Sequence, residues 1–203
     1  MSKAVDYYIK AAKNANAAAQ YRLALCYEKG EGVKKNVKRA VSWCLYAAEN
    51  DYILAQYKIA NRYFYGDGLE RDLSKAFRWY KNAADSNYAP AQYKLAECYL
   101  SGSGVKKNPI EALSLLELSA QRGYAPAQFK LAECLKEGLG REKNTQLAAI
   151  WYGKAAKKGL PEAQRALGDC YRDGIGVEKN LQQAELWYEK AKAGEAQNKK
   201  ASE

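Results

Sequence analysis

Three observations predict an all-α array of antiparallel helix pairs. The dipeptide Ala-Gln returns at one interval, at Gln20, Gln56, Gln92, Gln128 and Gln164, which fixes a period of 36 residues. Glycine pairs return in phase with it: Gly30 and Gly32, Gly66 and Gly68, Gly102 and Gly104, Gly138 and Gly140, Gly174 and Gly176. Apolar residues at helical spacing fill the intervening stretches, and the 203 residues include only four prolines. A repeat of this length is one supersecondary unit that cannot bury its apolar face alone and must stack on its neighbours. One continuous stack therefore replaces any division into globular halves.

The chain opens on half a repeat. Ala4, Tyr7, Tyr8, Ala11 and Ala12 match Ala40, Trp43, Cys44, Ala47 and Ala48, which belong to the second helix of a pair, helix B. Residues 1–16 are thus a helix B without its helix A, which either caps the first repeat or continues a longer array. Five A–B repeats follow at about 17–52, 53–88, 89–124, 125–160 and 161–195, giving eleven helices in all. The segment 196–203 is polar, lacks the pattern and is expected to be mobile.

The third repeat shows the design. Ala91, Leu95, Cys98 and Tyr99 share one face of helix A, with Lys94 and Glu97 outside it. Gly102 stands where a helix C-terminus needs a left-handed residue, and Gly104 where the loop turns tightly. Asn108-Pro109-Ile110-Glu111 then supplies an N-cap, a proline at the first helical position and a capping-box glutamate. Helix B runs from Pro109 to about Arg122. Equivalent caps stand at Asn36, Asp72, Asn144 and Asn180. Each helix B carries a small residue, Ala40, Ala76, Ala112, Ala148 or Ala184, followed by a large one at Trp43, Trp79, Leu115, Trp151 or Trp187. Alternation of small and large side chains lets layered helices interdigitate.

These features exclude several chemistries. A phosphate loop needs a strand before its glycines, whereas a helix precedes them here, so the Gly-x-Gly pairs are punctuation. The Trp-Tyr pairs Trp79-Tyr80, Trp151-Tyr152 and Trp187-Tyr188 recur at helical spacing and are read as core, not as base-stacking platforms. Histidine is absent, which removes the commonest general base and metal ligand. A carboxylate pair such as Glu97 with Glu133 is more simply solvated or paired with lysine. The five cysteines lack metal-site spacing, so neither zinc nor any other cofactor is expected. Cys26, Cys98, Cys134 and Cys170 occupy one position of their repeats, on helices about 10 Å apart, beyond the roughly 7 Å that a disulfide spans. Only Cys26 and Cys44, on paired helices, could meet. Free thiols point to a reducing compartment, and with no export signal in the chain as given the expectation is cytoplasmic.

The recurring Ala-x-Ala/Pro-x-Ala-Gln, Leu-Ala/Gly-x-Cys-Tyr, Gly-x-Gly-Val-x-Lys-Asn and Ala-x-x-Trp-Tyr-x-x-Ala-Ala resemble the Sel-1-like repeat, a relative of the tetratricopeptide repeat, over about Ala4 to Ala193. The resemblance implies a right-handed α/α superhelical solenoid whose A helices line a concave surface. It also implies a non-catalytic adaptor that assembles protein complexes. A cysteine-rich branch of the family has disulfides between paired helices and a proposed interaction with β-lactams; this chain lacks those paired cysteines. Three positions depart from the pattern and mark units that are bent or carry a local site: Arg62 in place of cysteine, Arg141 in place of valine, and Leu115-Leu116 in place of Trp-Tyr.

Net charge is +10, which favours acidic partners. Lys35, Arg71, Lys107, Lys143 and Lys179 stand one residue before each helix-B cap and form a basic ridge in a stack. Exposed loops that favour solubility account for it more simply than a dedicated anion site. The alternatives carried forward are binding of nucleic acid or anionic lipid through this ridge, and a small-molecule-binding or enzymatic member of the cysteine-rich branch. No specific nucleic-acid site and no membrane span are expected, while self-association through open array ends is compatible with the architecture. The candidate partner site is the helix-A face opposite Leu23, Cys26 and Tyr27. Its aromatic row is Tyr21, Tyr57, Tyr93 and Phe129, ending in Arg165. Beside it lie Leu25, Asn61, Glu97, Glu133 and Asp169, then Glu28, Phe64, Leu100, Lys136 and Arg172. An exposed aromatic row of this kind is expected to anchor a peptide or an extended segment.

Overall fold

The computed structural model describes residues 2–200. Eleven α-helices and no strand occur among them: α1 (Lys3–Lys13), α2 (Ala17–Lys29), α3 (Val37–Glu49), α4 (Ile53–Tyr65), α5 (Leu73–Asp85), α6 (Ala89–Ser101), α7 (Pro109–Gln121), α8 (Ala125–Glu137), α9 (Thr145–Lys157), α10 (Pro161–Asp173) and α11 (Leu181–Lys200). Even-numbered helices are A helices and odd-numbered ones B helices. The fold class is an all-α superhelical repeat. The helices fall into two compact units divided between Lys106 and Lys107, α1 to α6 and α7 to α11.

Local chemistry sets the helix ends. Asn36, Asp72, Asn108, Asn144 and Asn180 each accept, through the side chain, a hydrogen bond from the backbone N–H three residues on, at 2.8 to 3.2 Å. The A helices end on Gly30, Gly66, Gly102, Gly138 and Gly174, all left-handed, and each cap N–H donates back into the last turn. The second glycine of each pair has a reason beyond the turn. A Cβ on Gly104 would lie 2.1 Å from the Leu73 carbonyl oxygen, and one on Gly176 would lie 2.0 Å from that of Thr145. The loop after each A helix thus presses on the start of the preceding B helix, and only glycine admits the contact.

In the first unit, α1 covers the first pair: Val5 and Ala12 join Leu23, Cys26, Tyr27 and Ala40 in one buried cluster, with Tyr8 and Trp43 against it. Cys44, Ala47, Ala55 and Ile59 continue the core between α3 and α4. In the second unit Leu113, Leu116, Leu131, Leu135, Tyr152 and Leu167 fill the same role. In two of the three Trp-Tyr pairs the tyrosine is the more deeply placed, Tyr80 and Tyr152 being buried and Trp79 and Trp151 not, while Trp187 and Tyr188 are both half-buried. All five cysteines are buried and unbridged, Cys26 and Cys44 included. Burial raises their thiol pKa values, Cys98 and Cys134 to about 11 and Cys44 to about 12.

At the C-terminal end α11 runs on to Lys200, through the first five residues of the segment expected to be mobile; residues 201–203 lie outside the described ones. No turn interrupts it at Gly194, where the equivalent Asn50 and Ser86 close α3 and α5. Among the described residues no helix is long and apolar enough to cross a membrane, and no cluster of side chains could hold a metal ion.

The two glycine roles separate on mutation within the second unit. Gly159, at φ +85°, has nothing within 4 Å of the place a side-chain methyl would take, so Gly159→Ala should cost only the left-handed strain of about 1–2 kcal/mol. Gly176→Ala adds a backbone clash and should cost at least twice as much, read as the shift in urea midpoint; equal shifts would show that the close approach carries no energy.

Candidate functional site

The aromatic row is less exposed than the sequence suggests. Tyr21, Tyr57, Tyr93 and Phe129 are all half-buried, and the rings of Tyr21, Tyr57 and Phe129 lean on rings supplied by the following B helix or by the residue that starts the next A helix. In the first unit the Tyr21 ring lies 5.1 Å from Tyr52, and Tyr57 lies 6.0 Å from Tyr80 and 5.3 Å from Tyr88. Asn61 accepts a hydrogen bond from the Tyr80 hydroxyl at 2.7 Å, and Phe64 packs 6.2 Å from the same ring. Tyr57, Asn61 and Phe64 are therefore gathered around one buried tyrosine whose pKa is raised, first by burial and then by Tyr57. Tyr93 donates to Glu97 at 2.8 Å, and Leu100 is half-buried.

In the second unit Phe129 packs 5.7 Å from Tyr152, and Glu133 pairs with Lys130 at 2.9 Å. Lys136 is exposed, and Arg165 pairs with Glu195 on the run-on part of α11 at 2.7 Å. Asp169 accepts from the Tyr188 hydroxyl at 2.8 Å, the counterpart of Asn61 with Tyr80.

Two features of the first unit do not stand out in the sequence. Tyr65 is 62% exposed, stacks edge-on against Phe64 at 5.0 Å and shares the face of Tyr57 and Asn61, since offsets of four and eight residues return to one side of a helix. The offsets of four and seven that trace the row skip it. Lys58 and Lys94 lie on the same face, each paired with a carboxylate at 2.8 Å, Lys58 with Glu28 of α2 and Lys94 with Glu97. Burial works against the Lys94 charge, but Glu97 outweighs it and raises the pKa above the ordinary lysine value.

Arg62, which stands where other repeats have cysteine, is only 4% exposed. Its guanidinium pairs with Glu28 of the preceding A helix and donates to the Asp67 carbonyl at 3.0 Å and carboxylate at 3.2 Å. The departure is compensated: one buried cation meets two carboxylates, one from each repeat. Arg141 is likewise paired, with Glu117 at 2.7 Å. Leu116 takes the buried place of the repeat tyrosine and Leu115 the half-buried place of the tryptophan.

The ridge residues are all exposed: Lys35 and Arg71 in the first unit, Lys107, Lys143 and Lys179 in the second. Arg71 donates through Nε to the Phe64 carbonyl at 3.2 Å, closing the end of α4. The sites where a Cβ on Gly30 or Gly138 would stand lie 3.3 and 3.6 Å from the Cβ atoms of Lys35 and Lys143, so the ridge stems cover the helix ends.

Helix pairs of this form, stacked through one repeated junction, define a helical-repeat protein. The chain matches the Sel1 repeat at residues 1–16, 17–52, 53–88, 89–124, 125–160 and 161–194, and it belongs to that family. Two solved structures are similar over most of the chain. A Sel1 repeat protein from Oxalobacter formigenes is 33% identical with a TM-score of 0.85, covering 89% of this chain and 74% of that one. A protective antigen present in uropathogenic Escherichia coli strains, displaying an SLR fold, is 29% identical with a TM-score of 0.88 over 93% of this chain. The chain spans 40% of that antigen's length. An immunity protein from Pseudomonas aeruginosa, 19% identical with a TM-score of 0.57 over 95% of this chain and 74% of that one, shares the fold. No curated protein sequence matches the chain. Sel1 repeat proteins are generally non-catalytic scaffolds for protein–protein interaction.

The Arg62 network yields an asymmetric prediction. Removing one partner of a buried pair leaves a charge uncompensated, whereas replacing the charge itself does not. Glu28→Ala should destabilise by about 1–3 kcal/mol, less than a fully buried pair because Asp67 remains. Arg62→Cys, which restores the repeat residue, should change stability by under about 1 kcal/mol and should relieve most of the Glu28→Ala defect in the double variant. Chemical unfolding of the four proteins measures this; additive losses would contradict the pairing.

Proposed function

We propose that this protein is a non-catalytic binding scaffold whose A-helix face in the first unit, formed by α2, α4 and α6, takes an extended, acidic segment of a partner protein. The observation that carries the reading is the exposed Tyr65, seated on Phe64 and flanked by Lys58 and Lys94. An aromatic ring held in place by a second ring loses little entropy on binding, and such anchors supply most of the affinity at interfaces.

Charge supports the choice of unit and of partner. The first unit's face presents Arg22, Lys29, Lys58 and Lys94 against Glu28 and Glu97, an excess of cations. The equivalent face of the second unit presents Lys130, Lys136, Arg165 and Arg172 against Glu133, Glu137, Asp169 and Asp173, a balance. Complementary charge steers an acidic segment to the first and fixes its register more than it adds affinity. Tyr57 and Tyr93, with Asn61 and Glu97, support this surface from beneath; Tyr21, Phe129, Glu133 and Arg165 serve their own helix pairs.

Peptides selected by display against the whole chain should be acidic and carry an aromatic or large aliphatic residue. Tyr65→Ala should weaken the selected peptides at least tenfold while helicity and melting stay unchanged, because the ring is exposed. Tyr57→Ala should lower the melting temperature, since that ring is part of the Tyr80 cluster. Reversing Lys35 and Lys107 should matter less. Binding that survives Tyr65→Ala and is lost on reversing the two lysines would place the site on the ridge, with nucleic acid or anionic lipid as its ligand.

A further inference from the structure

One hollow outside the A-helix face counts three cations and a phenol among its lining residues. It has a volume of about 430 Å³, opens to solvent beside the start of α3, and is bounded by Tyr27, Val33, Lys34, Lys35, Asn36 and Arg39. In the first unit Lys29 is met by Glu31, Lys58 and Arg62 by Glu28, Lys75 by Asp72, Lys81 by Asp85 and Lys94 by Glu97, while exposed cations such as Lys38 and Arg78 have no ion-pair partner among the described residues. Among the described residues no carboxylate is within ion-pair distance of Lys34, Lys35 or Arg39.

The wall of the hollow repeats this imbalance. Tyr27 is only 8% exposed, and its hydroxyl oxygen accepts from Arg39 Nη1 at 3.3 Å, with the guanidinium carbon 5.6 Å from the ring centre. The Tyr27 O–H itself has no acceptor among the described residues, and Arg39 keeps most of its five donors for another partner. The side chain of Asn36 is committed to capping α3 through the Arg39 N–H at 3.0 Å, which also fixes where Arg39 leaves the helix. The positive end of α3 adds to the field.

The corresponding place in the second repeat is neutralised. There Lys75 lies 5.4 Å over the Tyr63 ring, as Arg39 does over Tyr27, but Asp72 pairs with it at 3.3 Å and Glu70 replaces Lys34. Further along the sequence Glu142 and Glu178 also occupy the Lys34 position, and Glu111 occupies that of Arg39. The first repeat alone has a base at both and an acid at neither.

We propose that this hollow is a binding site for a phosphate-type oxyanion, free or carried on a small phosphomonoester. A tetrahedral dianion presents several acceptor oxygens at once, which matches a hollow lined by a guanidinium-bearing Arg39, Lys34, Lys35 and the Tyr27 phenol, with no carboxylate among its lining. A single carboxylate offers fewer acceptors and less charge. The site is independent of the peptide-binding face and of Tyr65.

The test is an amide-resolved NMR titration of the whole chain with inorganic phosphate and, separately, with glycerol phosphate, against chloride at matched ionic strength. Saturable shifts confined to residues 33–39 are expected for at least one of the two phosphates and not for chloride. Tighter binding of glycerol phosphate assigns the site to monoesters, and tighter binding of inorganic phosphate assigns it to the free ion; either upholds an oxyanion site. Lys34→Glu, which installs the residue that three other repeats carry at this position, should weaken binding at least tenfold without loss of fold. Tyr27→Phe keeps the ring and should weaken it about threefold. Shifts that never saturate, that chloride reproduces, or that persist in Lys34→Glu overturn the proposal.

Discussion

Every A helix is tied to the B helix before it by one buried glutamine. Gln20, Gln56, Gln92, Gln128 and Gln164 each donate through Nε2 to the carbonyl oxygen of Ala12, Ala48, Ala84, Ala120 and Ala156, at 3.0 to 3.4 Å. Those carbonyls lie in the last turn of a helix, and each also accepts from the backbone N–H three residues on, at 2.8 to 3.1 Å, so the glutamine supplies a second donor that comes from the next helix. A leucine at the same place would fill the space but lose this tie between helices, a net hydrogen bond of about 0.5–1.5 kcal/mol. The junction has a price of its own, since the Oε1 atoms of Gln56, Gln92, Gln128 and Gln164 are buried without a partner, and only that of Gln20 is met, by Asn50. The buried alanine before each glutamine, Ala19, Ala55, Ala91, Ala127 or Ala163, lets the helices come close enough for the bond to form. The glycine that admits the preceding B helix fixes the other end of the contact.

This explains what is legible in the sequence. Residues that build the junction recur because each junction is the same problem: alanine, glutamine, paired glycines and an Asx cap are forced at fixed places. Helix existence and pairing follow directly from them. Side chains that face neither junction nor core are free to differ, and periodicity says little about how deeply they sit. Tyr57 reads as exposed from its place on the helix, but a ring as long as Tyr80 reaches it from the neighbouring helix and half-covers it. Arg62 is visible as a departure, yet its remedy, Glu28, lies 34 residues earlier and becomes meaningful only once the two A helices are placed side by side. The run-on of α11 is not legible, because polarity alone does not prevent a helix from continuing past its last apolar contact.

The same separation organises function. Where the repeat varies, the surface gains character: Tyr65 and Phe64 rise from α4, the lysines of α4 and α6 set the sign of the face, and the first repeat lacks the acids that neutralise its counterpart. A scaffold of this kind evolves binding by changing exposed positions while the glutamine junction keeps the frame constant. Burial pushes the thiol pKa values up, to about 12 at Cys44 and about 11 at Cys98, so the cysteines serve the core as small apolar residues.

The dependence of the stack on the glutamine bond is tested most directly by replacing Gln128 with methionine, which matches its length and removes the donor, and measuring unfolding free energy beside the exposed control Gln121→Met. The account predicts a loss of about 0.5–1.5 kcal/mol for Gln128→Met, together with faster amide exchange at the end of α7, and almost no change for the control. A Gln128→Met protein as stable as the parent, with unchanged exchange around Ala120, would show that apolar packing alone sets the junction and would contradict the account.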